Sequence, residues 1–144
     1  MKTLKTLTAA VLMALSFSAF ANYQTGNEKL KLNYALQAYI DAMSIGKING
    51  FADILDSDVK FSMTKNNTII HYNKSEILTF IRDTKGIKQN CSTAYDIVEQ
   101  TPTQAVVKVI MKYPTFSKVT FLCLANSSNG WKITNVSNSY INDK

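Results

Sequence analysis

An α+β domain is predicted, with three N-terminal helices and a β-hairpin packed on a curved four-stranded antiparallel meander. Three patterns carry that expectation. A long stretch early in the chain repeats its apolar residues at helical spacing, a short stretch near residue 60 alternates apolar and polar, and the second half holds four long runs rich in Val, Ile, Thr and aromatics, separated by turn residues.

The first 21 residues read as an export signal and not as part of the fold. Lys2 and Lys5 precede a mostly apolar run from Leu7 to Phe17, and Ala19-Phe20-Ala21 is a small-x-small cleavage site. The run is roughly half of the ~20 residues a membrane-spanning helix needs. The domain is therefore expected over residues 22–144, exported to the periplasm or secreted, with no membrane association after cleavage.

From Glu28 to Ile45, Leu32, Leu36, Tyr39, Ile40 and Met43 share one helical face, and Gly46 is a natural stop. A short second helix is expected from Gly50 to Leu55, with Phe51, Ile54 and Leu55 as its apolar face. Val59, Phe61 and Met63 then alternate with Lys60 and Ser62, and Lys65-Asn66-Asn67 turns this strand back into Thr68 to Tyr72. Asn73 followed by Glu76 reads as a capping box, which starts a third helix from Lys74 to Asp83 with Ile77, Leu78 and Ile81 inward. The meander strands are Gln89 to Gln100, Gln104 to Tyr113, Phe116 to Ala125 and Trp131 to Tyr140. Short turns at Thr101-Pro102-Thr103, Pro114-Thr115 and Asn126 to Gly130 make their pairing antiparallel. The long helix then covers the concave face of the sheet and leaves a conical hollow.

About 120 residues suffice for one continuous core, and no repeat or linker divides them. The formal charge of +6 includes the two signal lysines, leaving about +4 scattered among acidic residues, which argues for a solvated surface and against a nucleic-acid partner. Cys91 and Cys123 fall on strands with another strand between them, and two spacings of about 4.8 Å exceed the ~7 Å reach of a disulfide. Two buried free thiols are expected. One histidine and no second cysteine pair leave little for zinc, and no phosphate loop or nucleophile elbow is present, so neither metal nor cofactor is expected.

Three segments carry a family resemblance: Gln37-Ala38-Tyr39-Ile40-Asp41-Ala42-Met43-Ser44-Ile45-Gly46-Lys47, then Ile54-Leu55-Asp56-Ser57-Asp58-Val59-Lys60-Phe61, then Ile70-His71-Tyr72-Asn73-Lys74-Ser75-Glu76-Ile77. With Asn129-Gly130-Trp131-Lys132-Ile133 in the last strand, the chain from Leu30 to Tyr140 resembles the cone-shaped nuclear-transport-factor-2-like superfamily, and within it the secreted bacterial branch named putative lumazine-binding. The resemblance implies a fold and hardly an activity, because this superfold hosts isomerases, dehydratases, cyclases and plain dimerisation modules.

Isomerases of this fold pair a tyrosine of the first helix with two inward carboxylic acids. Tyr39 falls at the tyrosine position, but the acid positions land on Met63 and Thr120, neither of which exchanges a proton as a carboxylic acid does. His71, at a strand end, reads as a surface residue. No catalytic residue is assigned. The expectation is a non-catalytic domain that binds a small apolar or aromatic ligand or dimerises, the alternative being a small isomerase-, dehydratase- or cyclase-like enzyme using the same hollow. The lining expected for that hollow is Tyr39, Met43, Phe51, Met63, Phe80, Thr120, Leu122 and Trp131. In the meander, Val107, Val109 and Met111 point one way and Val106 and Ile110 the other, and Val119, Phe121 and Cys123 oppose Leu122 and Leu124. A sheet apolar on both faces needs cover on both, so a homodimer through the outer face is expected.

Overall fold

The helix that opens the domain, α1 (Leu32–Ile45), buries Leu32, Leu36, Tyr39 and Ile40 of the predicted stripe, with Ala35 beside them, and leaves Met43 half-buried. The computed structural model describes residues 30–143, so the export signal and the expected helix start at Glu28 lie outside the described residues. After α1 come a single 3-10 turn (Ala52–Ile54), β1 (Leu55–Lys65), β2 (Thr68–Tyr72), α2 (Lys74–Asp83), β3 (Ser92–Gln100), β4 (Gln104–Lys112), β5 (Phe116–Ser127) and β6 (Gly130–Asn142). The strands form one sheet in the order β2-β1-β6-β5-β4-β3.

Two features depart from the predicted architecture. The expected second helix, Gly50 to Leu55, is only the 3-10 turn, so the described residues hold two α-helices and not three. Six residues give too few intrahelical bonds to offset helix nucleation, and the segment is held by burying Phe51 and Ile54 instead. The hairpin, in turn, is not a separate layer on a four-stranded meander. β1 pairs in parallel with β6, placing Phe61 beside Val136 and Met63 beside Asn138, and the result is a six-stranded mixed sheet. A parallel pairing between residues so far apart leaves no turn signature, which is why local patterning reads two units where the molecule has one.

Turn and cap chemistry accounts for the rest. Asn66 and Asn67 both take positive φ, 49° and 62°, and close the β1–β2 hairpin as a two-residue turn. At α2 the capping box is complete: the Glu76 backbone N–H donates to Asn73 Oδ1 at 3.0 Å, and the Asn73 N–H donates to Glu76 Oε2 at 2.8 Å. Gly46 ends α1 at φ 67°, and a Cβ there would lie 2.5 Å from the Gly86 nitrogen. That contact lets the Gly86 N–H donate to the Gly46 carbonyl at 2.9 Å and clamps the end of α1 to the segment that follows α2.

Register fixes which side chains face the helices. Ala105, Val107, Val109 and Met111 of β4 stand beside Leu124, Leu122, Thr120 and Lys118 of β5, and these face β6 residues Ile133, Val136, Asn138 and Tyr140. This inner row forms the core with α1, Phe51, Ile54 and Ile81 of α2. Val106, Ile110, Phe121 and Cys123 lie on the opposite, outer face. Cys91 and Cys123 are unpaired and half-buried, where full burial was expected.

Candidate functional site

Where α1, α2 and the far end of the sheet meet, the inner row is left partly uncovered. The opening is a pocket of about 270 Å³, walled by Met43 of α1, Phe80 and Thr84 at the end of α2, Ile87 and Gln89 of the following loop, and Tyr113, Phe116, Lys118 and Tyr140 of the sheet. The Pro114-Thr115 turn places two of these rings: the Tyr113 N–H donates to the Phe116 carbonyl at 2.9 Å, and the rings stack at 4.5 Å with planes 11° apart. Phe116 in turn meets Tyr140 at 6.1 Å. The result is a continuous aromatic wall, with Phe80 opposite it and 58% exposed.

The polar atoms of this wall are few and desolvated. Burial pushes the Tyr113 hydroxyl up to about 12, and the Cys91 thiol, which shares a hydrogen bond with it, adds to the rise. Tyr140 is raised in the same way, by burial first and then by Tyr72. Lys118 is lowered by burial, with Cys91 partly opposing the shift.

Behind the pocket lies a second arrangement. Tyr39 is 1% exposed, its hydroxyl is hydrogen-bonded to Thr120, and Thr120 Oγ1 donates to Asn138 Oδ1 at 2.8 Å. Asn138 Nδ2 reaches the Ser62 carbonyl on β1 at 3.5 Å. Burial holds the Tyr39 phenol well above its ordinary range, only partly offset by Thr120. Among the described residues the fully buried polar side chains are Ser44 and Thr120, so this chain of hydrogen bonds contains no carboxylate.

Of the eight residues expected to line one hollow, Met43 and Phe80 line the pocket. Tyr39 and Thr120 form the network behind it, while Phe51 and Leu122 are sealed into the core, Phe51 against the Tyr39 ring at 6.3 Å. Met63 stands beside Asn138 on the inner face, half-buried. Trp131, 7% exposed, sits in a different depression of about 250 Å³ with Tyr34, Asp53 and Asn129. His71 is exposed on an open groove beside Lys60, Lys74 and Glu76.

Sequence reasoning missed Tyr113, Phe116, Lys118 and Tyr140. Tyr113 lies past the end of β4, where alternation gives no face, and Phe116 opens β5 in phase with Lys118 and Thr120. Lys118 was open to detection, because it is in phase with Thr120, Leu122 and Leu124, and a lysine in an inward apolar row is out of place.

Residues 27–139 match the family described as "Putative lumazine-binding". The chain belongs to that family. Solved structures place the Putative lumazine-binding fold of this chain among the NTF2-like proteins. An NTF-2 like protein of unknown function from Silicibacter pomeroyi DSS-3 is 14% identical, with 78% of this chain and 92% of that one covered at a TM-score of 0.63. A second, from Shewanella baltica OS155, is 11% identical over 75% and 89% at 0.62. A third, from Cytophaga hutchinsonii ATCC 33406, is 13% identical over 81% and 100% at 0.60. No curated protein matches the chain. At these identities the likeness is one of fold.

Proposed function

We propose that this protein binds a small, largely apolar or aromatic molecule in the pocket between Phe80 and the Tyr113–Phe116–Tyr140 wall. The observation that carries the reading is that wall: Phe116 in ring contact with both Tyr113 and Tyr140, all three lining an opening between α1, α2 and the sheet. An apolar cavity of about 150 Å³ takes up benzene, so about 270 Å³ suits a molecule of one or two rings. The family description supports a small-ligand role. The reading includes export, on the charged, apolar and small-residue pattern of residues 1–21, and an exported chain that does not begin at Asn22 would remove that part.

The test is a fragment and metabolite panel that includes lumazine, followed by protein NMR. Bound members shift the Met43 methyl and the Tyr113, Phe116 and Tyr140 ring signals, and Phe80→Ala weakens them several-fold without unfolding the protein, since Phe80 is mostly exposed. Shifts confined to other surfaces, or none across the panel, would overturn the reading.

A second reading concerns self-association. Phe121 is 42% exposed on the outer face, beside Lys108 and within the row of Val106, Ile110 and Cys123. A second copy covering this row would complete the burial of a two-faced sheet.

A further inference from the structure

Lys118 is the one charged side chain among the residues that line the pocket. It stands on the inner face between Met111 on β4 and Tyr140 on β6, in phase with Phe116 and Thr120 on its own strand. No carboxylate lines the pocket beside it. Among the described residues the side-chain ion pair is Lys47 with Asp41, on the far side of α1, and the Lys118 ammonium takes part in no side-chain hydrogen bond.

A cation withdrawn from water without a counter-ion is unfavourable, and its ordinary remedies are to reach solvent or to be paired. The Cys91 thiol interacts with it and partly opposes the lowering, and the pocket's phenols bring no negative charge at neutral pH. Tyr113 and Tyr140 are neutral phenols at this pH; the Tyr113 proton is engaged by the Cys91 thiol, and the Tyr140 O–H is the donor that remains. The mouth of the pocket thus offers one ammonium and the Tyr140 hydroxyl above an aromatic floor.

We infer that the pocket's ligand is a monoanionic aromatic or branched aliphatic carboxylate, its carboxylate set on the Lys118 ammonium and the Tyr140 hydroxyl, its body against Phe116, Phe80 and Met43. The inference rests on the pocket reading above and adds the charge of the ligand. A carboxylate supplies the missing counter-ion, accepts from several donors at once, and leaves the apolar part of the molecule to the rings. A neutral molecule of the same shape leaves the cation unpaired in a site with its water displaced.

The experiment compares 2-naphthoate with 2-naphthamide, nearly equal in shape and different in charge, binding to the whole exported chain by titration calorimetry at neutral pH. The wild type binds naphthoate at least about tenfold more tightly than naphthamide, the scale of a charge-assisted hydrogen bond. Lys118→Met abolishes that preference while still binding naphthamide, which also shows that the variant is folded, and Lys118→Arg retains it. Equal binding of the two compounds to the wild type, or a preference that survives Lys118→Met, would sink the anion assignment and leave the pocket reading standing. Binding of neither compound, with no shift of the ring signals, overturns both.

Discussion

Lys118 and Tyr140 stand side by side across the β5–β6 pair, on the face of the sheet that carries the core. A lysine in that row sacrifices stability for a charge at the edge of an apolar pocket. Lys118→Met is therefore expected to raise the unfolding free energy by about 1 kcal/mol in urea titrations, because it exchanges a poorly solvated cation for an apolar side chain of similar length. The gain depends on pH. A lysine lowered in the folded state carries its full penalty below that lowered value, and the penalty fades as pH rises toward the ordinary 10.5. The stability gap between variant and wild type should narrow over that interval, and a gap that stays constant with pH would contradict this account.

Alkaline pH acts on the tyrosines in the opposite sense. Tyr39, Tyr113 and Tyr140 are raised in the folded protein, so the unfolded chain ionises first, near the ordinary 10.0. Stability is intact below 10.0 and is lost above it, for Tyr113 over the interval up to about 12. Tyr39→Phe is expected to cost about 1 kcal/mol at neutral pH through the lost hydrogen bond to Thr120, and to flatten the alkaline decline. Urea midpoints of both proteins on either side of 10.0 check the two effects together.

The clamp between α1 and the loop after α2 separates two glycines of similar backbone. Gly46→Ala puts a Cβ 2.5 Å from the Gly86 nitrogen and 2.6 Å from the Thr84 carbonyl, on a backbone at φ 67°. Gly86→Ala, at φ 74°, meets nothing within 4 Å. The left-handed backbone alone costs about 1 kcal/mol in each, and the collision adds to it only at Gly46, for a total of about 3 kcal/mol or more. Equal losses of melting temperature would show that the close approach is unimportant.

Helix α2 begins at a reciprocal pair of hydrogen bonds, so Asn73→Ala is expected to cost about 1 kcal/mol. Hydrogen exchange should show the loss at the first turn of α2, beside the strand β1 carbonyl of Leu55 that Lys74 Nζ holds at 2.9 Å.

If a second copy covers the outer face, Phe121→Lys converts the protein to a monomer in sedimentation experiments while leaving naphthoate binding unchanged, because Phe121 and the pocket lie on opposite faces. A wild type that sediments as a monomer at high concentration removes the self-association reading.

Local chemistry was legible wherever it is local. Asn73 and Glu76 announce the start of α2, Gly46 the end of α1, and the alternation of Val107, Val109 and Met111 the face of β4. What stayed hidden needed distant partners. Val59 and Phe61 read correctly as the apolar positions of a half-buried strand, but nothing near them says that Phe61 pairs with Val136. Phe51 and Ile54 have helical spacing in a stretch too short to make an α-helix, and core burial holds them equally well in a 3-10 turn. The pocket was least legible, since it joins the ends of α1 and α2, a loop and the strand residues Phe116, Lys118 and Tyr140, whose meeting no local pattern announces.

The parallel seam between Phe61 and Val136 also governs when the molecule can exist. A nascent chain that has emerged only as far as β5 owns two unconnected pieces of sheet, and the strand that fuses them is the last to appear. Such a chain delays its commitment to one sheet until β6 has emerged.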